Sequence, residues 1–120
     1  MKIAFATTGR NLDGPMDERF GRAQSFLIYD LEAGAFEVVE NGLGVNAAQG
    51  AGILSAEAVA RAGAGGLVAR HCGPKAFRVR KAAGVKVYFS RAATVAQALE
   101  EYRSGRLAEV RSADVEGHWA

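Results

Sequence analysis

The 120-residue chain has 49% hydrophobic and 23% charged residues and a formal charge of +2, enough apolar mass for one buried core and too much for global disorder. So small a charge gives no ground for nucleic-acid binding, and a single cysteine excludes an intrachain disulfide framework and a four-thiolate zinc site. The apolar run from Met1 to Ala6 is too short for a signal peptide, and no stretch approaches the roughly 20 apolar residues of a spanning helix, so a cytoplasmic protein without membrane contact is expected.

Lys2 to Thr7 reads as a short apolar strand, followed by a long polar loop with Gly9, Asn11, Asp13, Gly14 and Pro15. Ser25 to Tyr29 and Phe36 to Val39 are strand-like, and Glu32-Ala33-Gly34 between them predicts a hairpin. A glycine-rich loop, Asn41 to Gly50, leads into a helix over Ile53 to Ala62 that ends near Gly63. Leu67 to Ala69 forms a buried-strand candidate. Pro74 suits the first turn of a second helix, with Phe77 and Val79 among its apolar contacts and Gly84 at its exit, and Val85 to Phe89 follows as a strand. Thr94 is the predicted N-cap of a last helix through Tyr102, with Leu99 on its apolar side and Gly105 past its end. Beyond Arg106 the chain is expected to lie on the surface or fray.

This order predicts one α/β domain, with a hairpin followed by right-handed crossovers. If the first strand is central and pairs with the fourth, the strand order is 3-2-1-4-5 in a five-stranded mixed sheet whose second strand is antiparallel. The loops after strands one, three, four and five then share the edge where such sheets bind ligands, near a reversal of winding. That edge gathers Thr8 to Arg22, Asn41 to Gly50 and Arg70 to Lys75.

The stretch Arg70-His71-Cys72-Gly73-Pro74-Lys75-Ala76-Phe77-Arg78 sets the one cysteine beside one of two histidines at a predicted helix start. Cations and free N–H groups there suit an anionic ligand and lower a thiol pKa, so Cys72 is a candidate thiolate ligand and His71 a candidate imidazole ligand. Adjacent side chains on an extended segment point opposite ways, which favours one of the two over both. Arg19, Arg22, Arg70 and Lys75 are candidate charge donors, and the amides near Gly50, Gly52 and Gly73 candidate backbone donors. Each has a plain reading beside it: Cys72 as a half-buried small residue, Arg19 and Arg22 as partners of Asp17 or Glu18, Gly50-Ala51-Gly52 as helix packing. That glycine segment lacks the final glycine of the dinucleotide pattern at Ser55, and neither a Walker loop nor a serine-histidine-acid motif is present. His118 and Trp119 fall in the tail.

Asp17-Glu18-Arg19-Phe20-Gly21-Arg22-Ala23, Gln49-Gly50-Ala51-Gly52-Ile53 and Gly73-Pro74-Lys75-Ala76-Phe77-Arg78, with Ala83-Gly84-Val85-Lys86-Val87-Tyr88, resemble the nitrogenase iron-molybdenum cofactor biosynthesis family. The match covers roughly residues 1–108 and leaves 109–120 as a C-terminal tail. The pattern is also similar to that of the orange proteins of sulfate-reducing bacteria, family relatives that carry a molybdenum-copper sulfide cluster. The resemblance implies a three-layer α/β/α ribonuclease H-like fold. It further implies non-enzymatic binding, carriage or insertion of a metal-sulfur cluster containing molybdenum, iron or both, with cluster donor or recipient proteins as partners. Two positions depart from the family pattern: Gln49 replaces a histidine before Gly-Ala-Gly, and His71-Cys72 replaces a small or aliphatic pair. The Gln49 departure keeps open a protein-interaction or regulatory module without a cluster. A metal-dependent nuclease is disfavoured, because Lys2 to Thr7 has no acidic residue and Asp13, Asp17 and Glu18 lie in a loop.

Overall fold

Ile3, Ala4, Phe5, Ala6 and Thr7 have no solvent exposure, so the strand that contains them, β1 (Lys2–Thr7), is covered on both faces and both edges. The protein is seen here in a computed structural model that describes residues 1–17, 23–41, 57–70 and 84–109. On one side β1 pairs antiparallel with β2 (Ser25–Asp30), which pairs antiparallel with β3 (Phe36–Glu40). On the other it pairs parallel with β4 (Ala64–Ala69), and β4 pairs parallel with β5 (Lys86–Phe89). The order 3-2-1-4-5 and the antiparallel second strand are those expected.

The sheet has one strand more. Ala108–Glu109 forms β6, antiparallel to β5 with Tyr88 opposite Glu109 and Phe89 opposite Ala108. The chain just past Arg106, expected to lie on the surface or fray, pairs along the edge that β5 would otherwise leave open. Gly105, at φ 72°, turns it back toward the sheet in a conformation that glycine adopts without strain.

Alternation along the strands divides the core into two apolar layers. One face presents Ala4, Ala6, Phe26, Ile28, Leu67, Ala69, Val87 and Phe89 to Val59 of the helical residues 57–61, termed α1. The opposite face presents Ile3, Phe5, Leu27, Tyr29 and Val68 to Val95, Ala98 and Leu99 of α2 (Val95–Arg103). Helix on each side of the sheet gives the three layers. Full burial of each large side chain, such as Phe5 or Leu67, is worth about 1.5–3 kcal/mol.

The local signals act as their chemistry demands. Thr94 is extended at φ −123° and its hydroxyl oxygen accepts from the Gln97 N–H at 3.3 Å, capping α2. In the hairpin, the Asp30 carboxylate accepts from the N–H groups of Glu32 and Ala33 at 2.9 and 3.1 Å, while Gly34 takes φ 71°. Those donors, Ala33 foremost, hold the Asp30 carboxyl below its ordinary range. Strand β4 begins three residues before the expected Leu67, because the glycines there serve packing rather than a turn. A Cβ at Gly66 would lie 3.0 Å from Ile3 Cδ1 and 3.4 Å from a Tyr88 ring carbon. The pairing register shifts between Lys2 and Ile3, which leaves Gly65 as the extra residue of a bulge.

Replacing the cap, Thr94→Ala, is expected to cost about 1 kcal/mol, equivalent to a lowering of Tm by about 4 °C. Thermal unfolding followed by circular dichroism checks it, and an unchanged Tm would show that α2 does not depend on this cap.

Candidate functional site

The parallel strands β1, β3, β4 and β5 end at one edge of the sheet, where β2 begins. Among the described residues, every buried polar or charged residue lies at this edge: Thr7, Asp17, Ser25, Asn41 and Ser90. A buried polar group needs a partner, and each of these is engaged with the turns around it. Thr7 Oγ1 donates to the Pro15 carbonyl at 2.7 Å and accepts from the Gly9 N–H at 2.9 Å. Asp17 accepts from the Gln24 N–H at 3.2 Å, and its own N–H donates to the Ala6 carbonyl at 2.9 Å. Asn41 Nδ2 donates to the Ala23 carbonyl at 2.9 Å, and Ser25 Oγ donates to Glu40 at 3.3 Å. The Ser90 hydroxyl donates to Glu101 and accepts from the Ala92 N–H at 3.0 Å. These groups frame the edge by holding its loops.

The loop after β1 shows how tight that frame is. Expected as a long polar loop, it folds back so that Met16 bridges to Thr7 and is buried. Carbonyls of the same loop meet the exposed start of α2: Gly14 accepts from the Val95 N–H at 3.0 Å and Leu12 from the Ala96 N–H at 2.8 Å. The N-terminus of α2 therefore spends these donors on the loop and not on an anion. Gly9 and Gly14 make the fold-back possible. A Cβ on Gly9 would fall 2.8 Å from Gly14 Cα, a backbone atom with little freedom to yield.

Arg10 in this loop pairs with Glu40 at the end of β3, across the start of β2. Both side chains are mostly exposed, so the pair contributes little stability but ties two edges of the site together. The hydrogen bond from Arg10 holds the Glu40 carboxyl below its usual range.

Arg70 follows β4 directly, beside the end of β1, where the chain's neighbours change from antiparallel on one side to parallel on the other. It is half-buried, and no described residue forms a hydrogen bond or ion pair with its guanidinium. The remaining predicted site residues, Arg19, Arg22, Gly50, Gly52, His71, Cys72, Gly73 and Lys75, lie outside the described residues, as do Gln49 and the predicted helix at Pro74. Among the described residues no group of three or more His, Cys, Asp or Glu side chains is placed to hold a metal ion, and no helix is long and apolar enough to cross a membrane. Sequence reasoning passed over Thr7, Ser25, Asn41 and Ser90. Their common signal was a polar residue placed at the end of an apolar strand.

Gly9→Ala should cost about 1–3 kcal/mol by forcing the two backbones apart, a loss measurable by urea unfolding. Stability equal to the wild type would mean that the loop yields freely. For Arg10→Gln, titration by NMR should move the Glu40 midpoint up toward the ordinary carboxylate range. The sign follows from a depressed native pKa: the pair's stabilisation is present above the unfolded-state value and is lost as pH falls through the native value. An unmoved midpoint would show that Arg10 does not set it.

Comparison with known proteins places the chain in a family. Residues 1–105 match the model of the dinitrogenase iron-molybdenum cofactor family. An uncharacterized protein of Methanocaldococcus jannaschii is 30% identical over 110 residues, covering 89% of each chain. The apo form of the orange protein from Desulfovibrio gigas superposes with a TM-score of 0.85 at 39% identity, over 92% of this chain and 93% of that one. A candidate NifB protein from Thermotoga superposes with a TM-score of 0.77 at 38% identity, over 92% and 94%. By family model, sequence and fold together, the chain belongs to the dinitrogenase iron-molybdenum cofactor family.

Proposed function

We propose that the protein binds and carries a metal-sulfur cluster containing molybdenum, iron or both at the carboxyl edge of its sheet, as cargo passed between donor and recipient proteins in the cytoplasm. A molybdenum-copper sulfide is included among the cargoes to be tested. The observation that carries this reading is Arg70: a half-buried cation, without a described counter-charge, at the reversal of winding in a chain of this family. Metal-sulfide clusters are often anionic, so such a cation favours their retention, and a half-dry setting strengthens the attraction. The described polar residues fit the role as well. Thr7, Asp17, Ser25, Asn41 and Ser90 hold the described turns at this edge, which gives a ligand there a preformed support.

In this reading Arg19, Arg22 and Lys75 add positive charge, and the backbone N–H groups near Gly50, Gly52 and Gly73 donate to cluster sulfides. Cys72 supplies the metal ligand as a thiolate, with His71 as the other candidate through its imidazole. The protein performs no covalent step on its cargo.

Anaerobic incubation of the apo-protein with synthetic iron-sulfide, thiomolybdate and molybdenum-copper sulfide species, followed by metal and sulfide analysis and visible spectra, tests the proposal. Stoichiometric retention of one of them is expected, and none with any species would overturn it. Arg70→Gln should weaken retention about tenfold, the worth of one charge-assisted hydrogen bond. Cys72→Ser should abolish a sulfur-to-metal charge-transfer band, whereas retention of that band in Cys72→Ser and its loss in His71→Ala would move the ligand to His71.

A further inference from the structure

Where α2 ends, on the face of the sheet that it covers, lies an open pocket of about 440 Å³ lined by Leu31, Tyr88, Tyr102, Arg103, Gly105 and Leu107. The Leu31 N–H donates to the Met1 carbonyl at 2.9 Å, beside the start of β1. The volume falls within the roughly 300–1,000 Å³ of small-molecule sites, and the lining has their usual character, apolar and aromatic with one convergent charge. Tyr88 and Tyr102 meet edge to face, centroids 5.3 Å apart at 83°, which fixes both rings as walls. Gly105 presents no side chain, and a Cβ there would meet nothing within 4 Å, so the wall on that side stays open.

Among the described lining residues Arg103 alone is charged, and its placement is the informative feature. Its guanidinium carbon sits 5.3 Å from the centroid of the Tyr29 ring, and Nη2 donates to the Tyr29 hydroxyl at 2.9 Å. That contact holds the guanidinium while using one of its five N–H groups. No described carboxylate pairs with Arg103, although ion pairs form elsewhere on the surface. A planar fork held in place beside two aromatic walls, its remaining donors unspent among the described residues, matches a planar anion attached to a flat ring.

We infer that this pocket binds a small aromatic carboxylate, its ring against Tyr88 and Tyr102 between Leu31 and Leu107, and its carboxylate on Arg103. The site is separate from the proposed cluster edge and holds whether or not a cluster binds there.

Two-dimensional NMR of the full chain titrated with 1-naphthoate tests the assignment. Saturable shifts centred on Leu31, Tyr88 and residues 102–107 are expected, with affinity lowered about tenfold by Arg103→Gln and about as much by exchanging the probe for uncharged 1-naphthylmethanol. Because Arg103→Gln also removes the Tyr29 contact, Tyr29→Phe serves as the second variant: it keeps ring and guanidinium and should retain naphthoate binding. The absence of saturable shifts at millimolar naphthoate would overturn the proposal. So would equal affinity for acid and alcohol, or unchanged affinity in Arg103→Gln. Nuclear Overhauser contacts between the Trp119 indole and Tyr102 in the ligand-free protein would also overturn it, by making the chain's own tail the occupant.

Discussion

The hydrogen-bonded burial of β1 is the constraint on which the remaining structure depends. A strand with no exposed residue from Ile3 to Thr7 must have neighbours along both edges and apolar layers on both faces. Its neighbours run in opposite senses, β2 antiparallel and β4 parallel, and this asymmetry makes its carboxyl end a reversal of winding. Thr7 ends the strand there, and its hydroxyl begins the chain of contacts that shapes the edge. Through Pro15 it folds back the loop whose carbonyls then satisfy the start of α2. Central strand, first loop and the helix on one face are thus a single hydrogen-bonded unit.

That unit explains a division of labour at the edge. Buried polar side chains act on backbone groups of the turns or, for Ser25 and Ser90, on the carboxylates of Glu40 and Glu101, and are thereby committed. Arg70 differs from them in having no described partner. The structural polarity of the edge is thus satisfied within the described residues. Arg103, held by Tyr29, likewise has no described carboxylate partner.

Much of the fold was legible because its signals are local. Alternation and apolar runs located β1, β2, β3 and β5 to within a residue, and Thr94, Gly63 and Gly105 marked helix boundaries through the conformations they favour. What was missed depends on contacts distant in sequence. The expected strand begins only at Leu67 and leaves out Gly65 and Gly66, whose place in β4 rests on the packing of Ile3 and Tyr88 beside Gly66. The two-residue β6 has no periodicity of its own and exists because β5 offers an edge. The compactness of the first loop rests on the approach of Gly9 to Gly14, which composition alone reads as flexibility. Of the candidate site, the sequence located the edge and Arg70 on it, but not the polar frame, since Thr7, Ser25, Asn41 and Ser90 carry no motif. His71 and Cys72 rest on their residue chemistry and on their position next to Arg70 in the chain.

The claim that cargo sits at the carboxyl edge is tested most directly by paramagnetic relaxation mapping of cluster-loaded protein. Selective broadening of Thr8, Gly9, Arg70 and Ser90, with Asp30 to Gly34 and Gly63 at the opposite end unaffected, is the result this account predicts. Broadening centred on the opposite end of the sheet would contradict it.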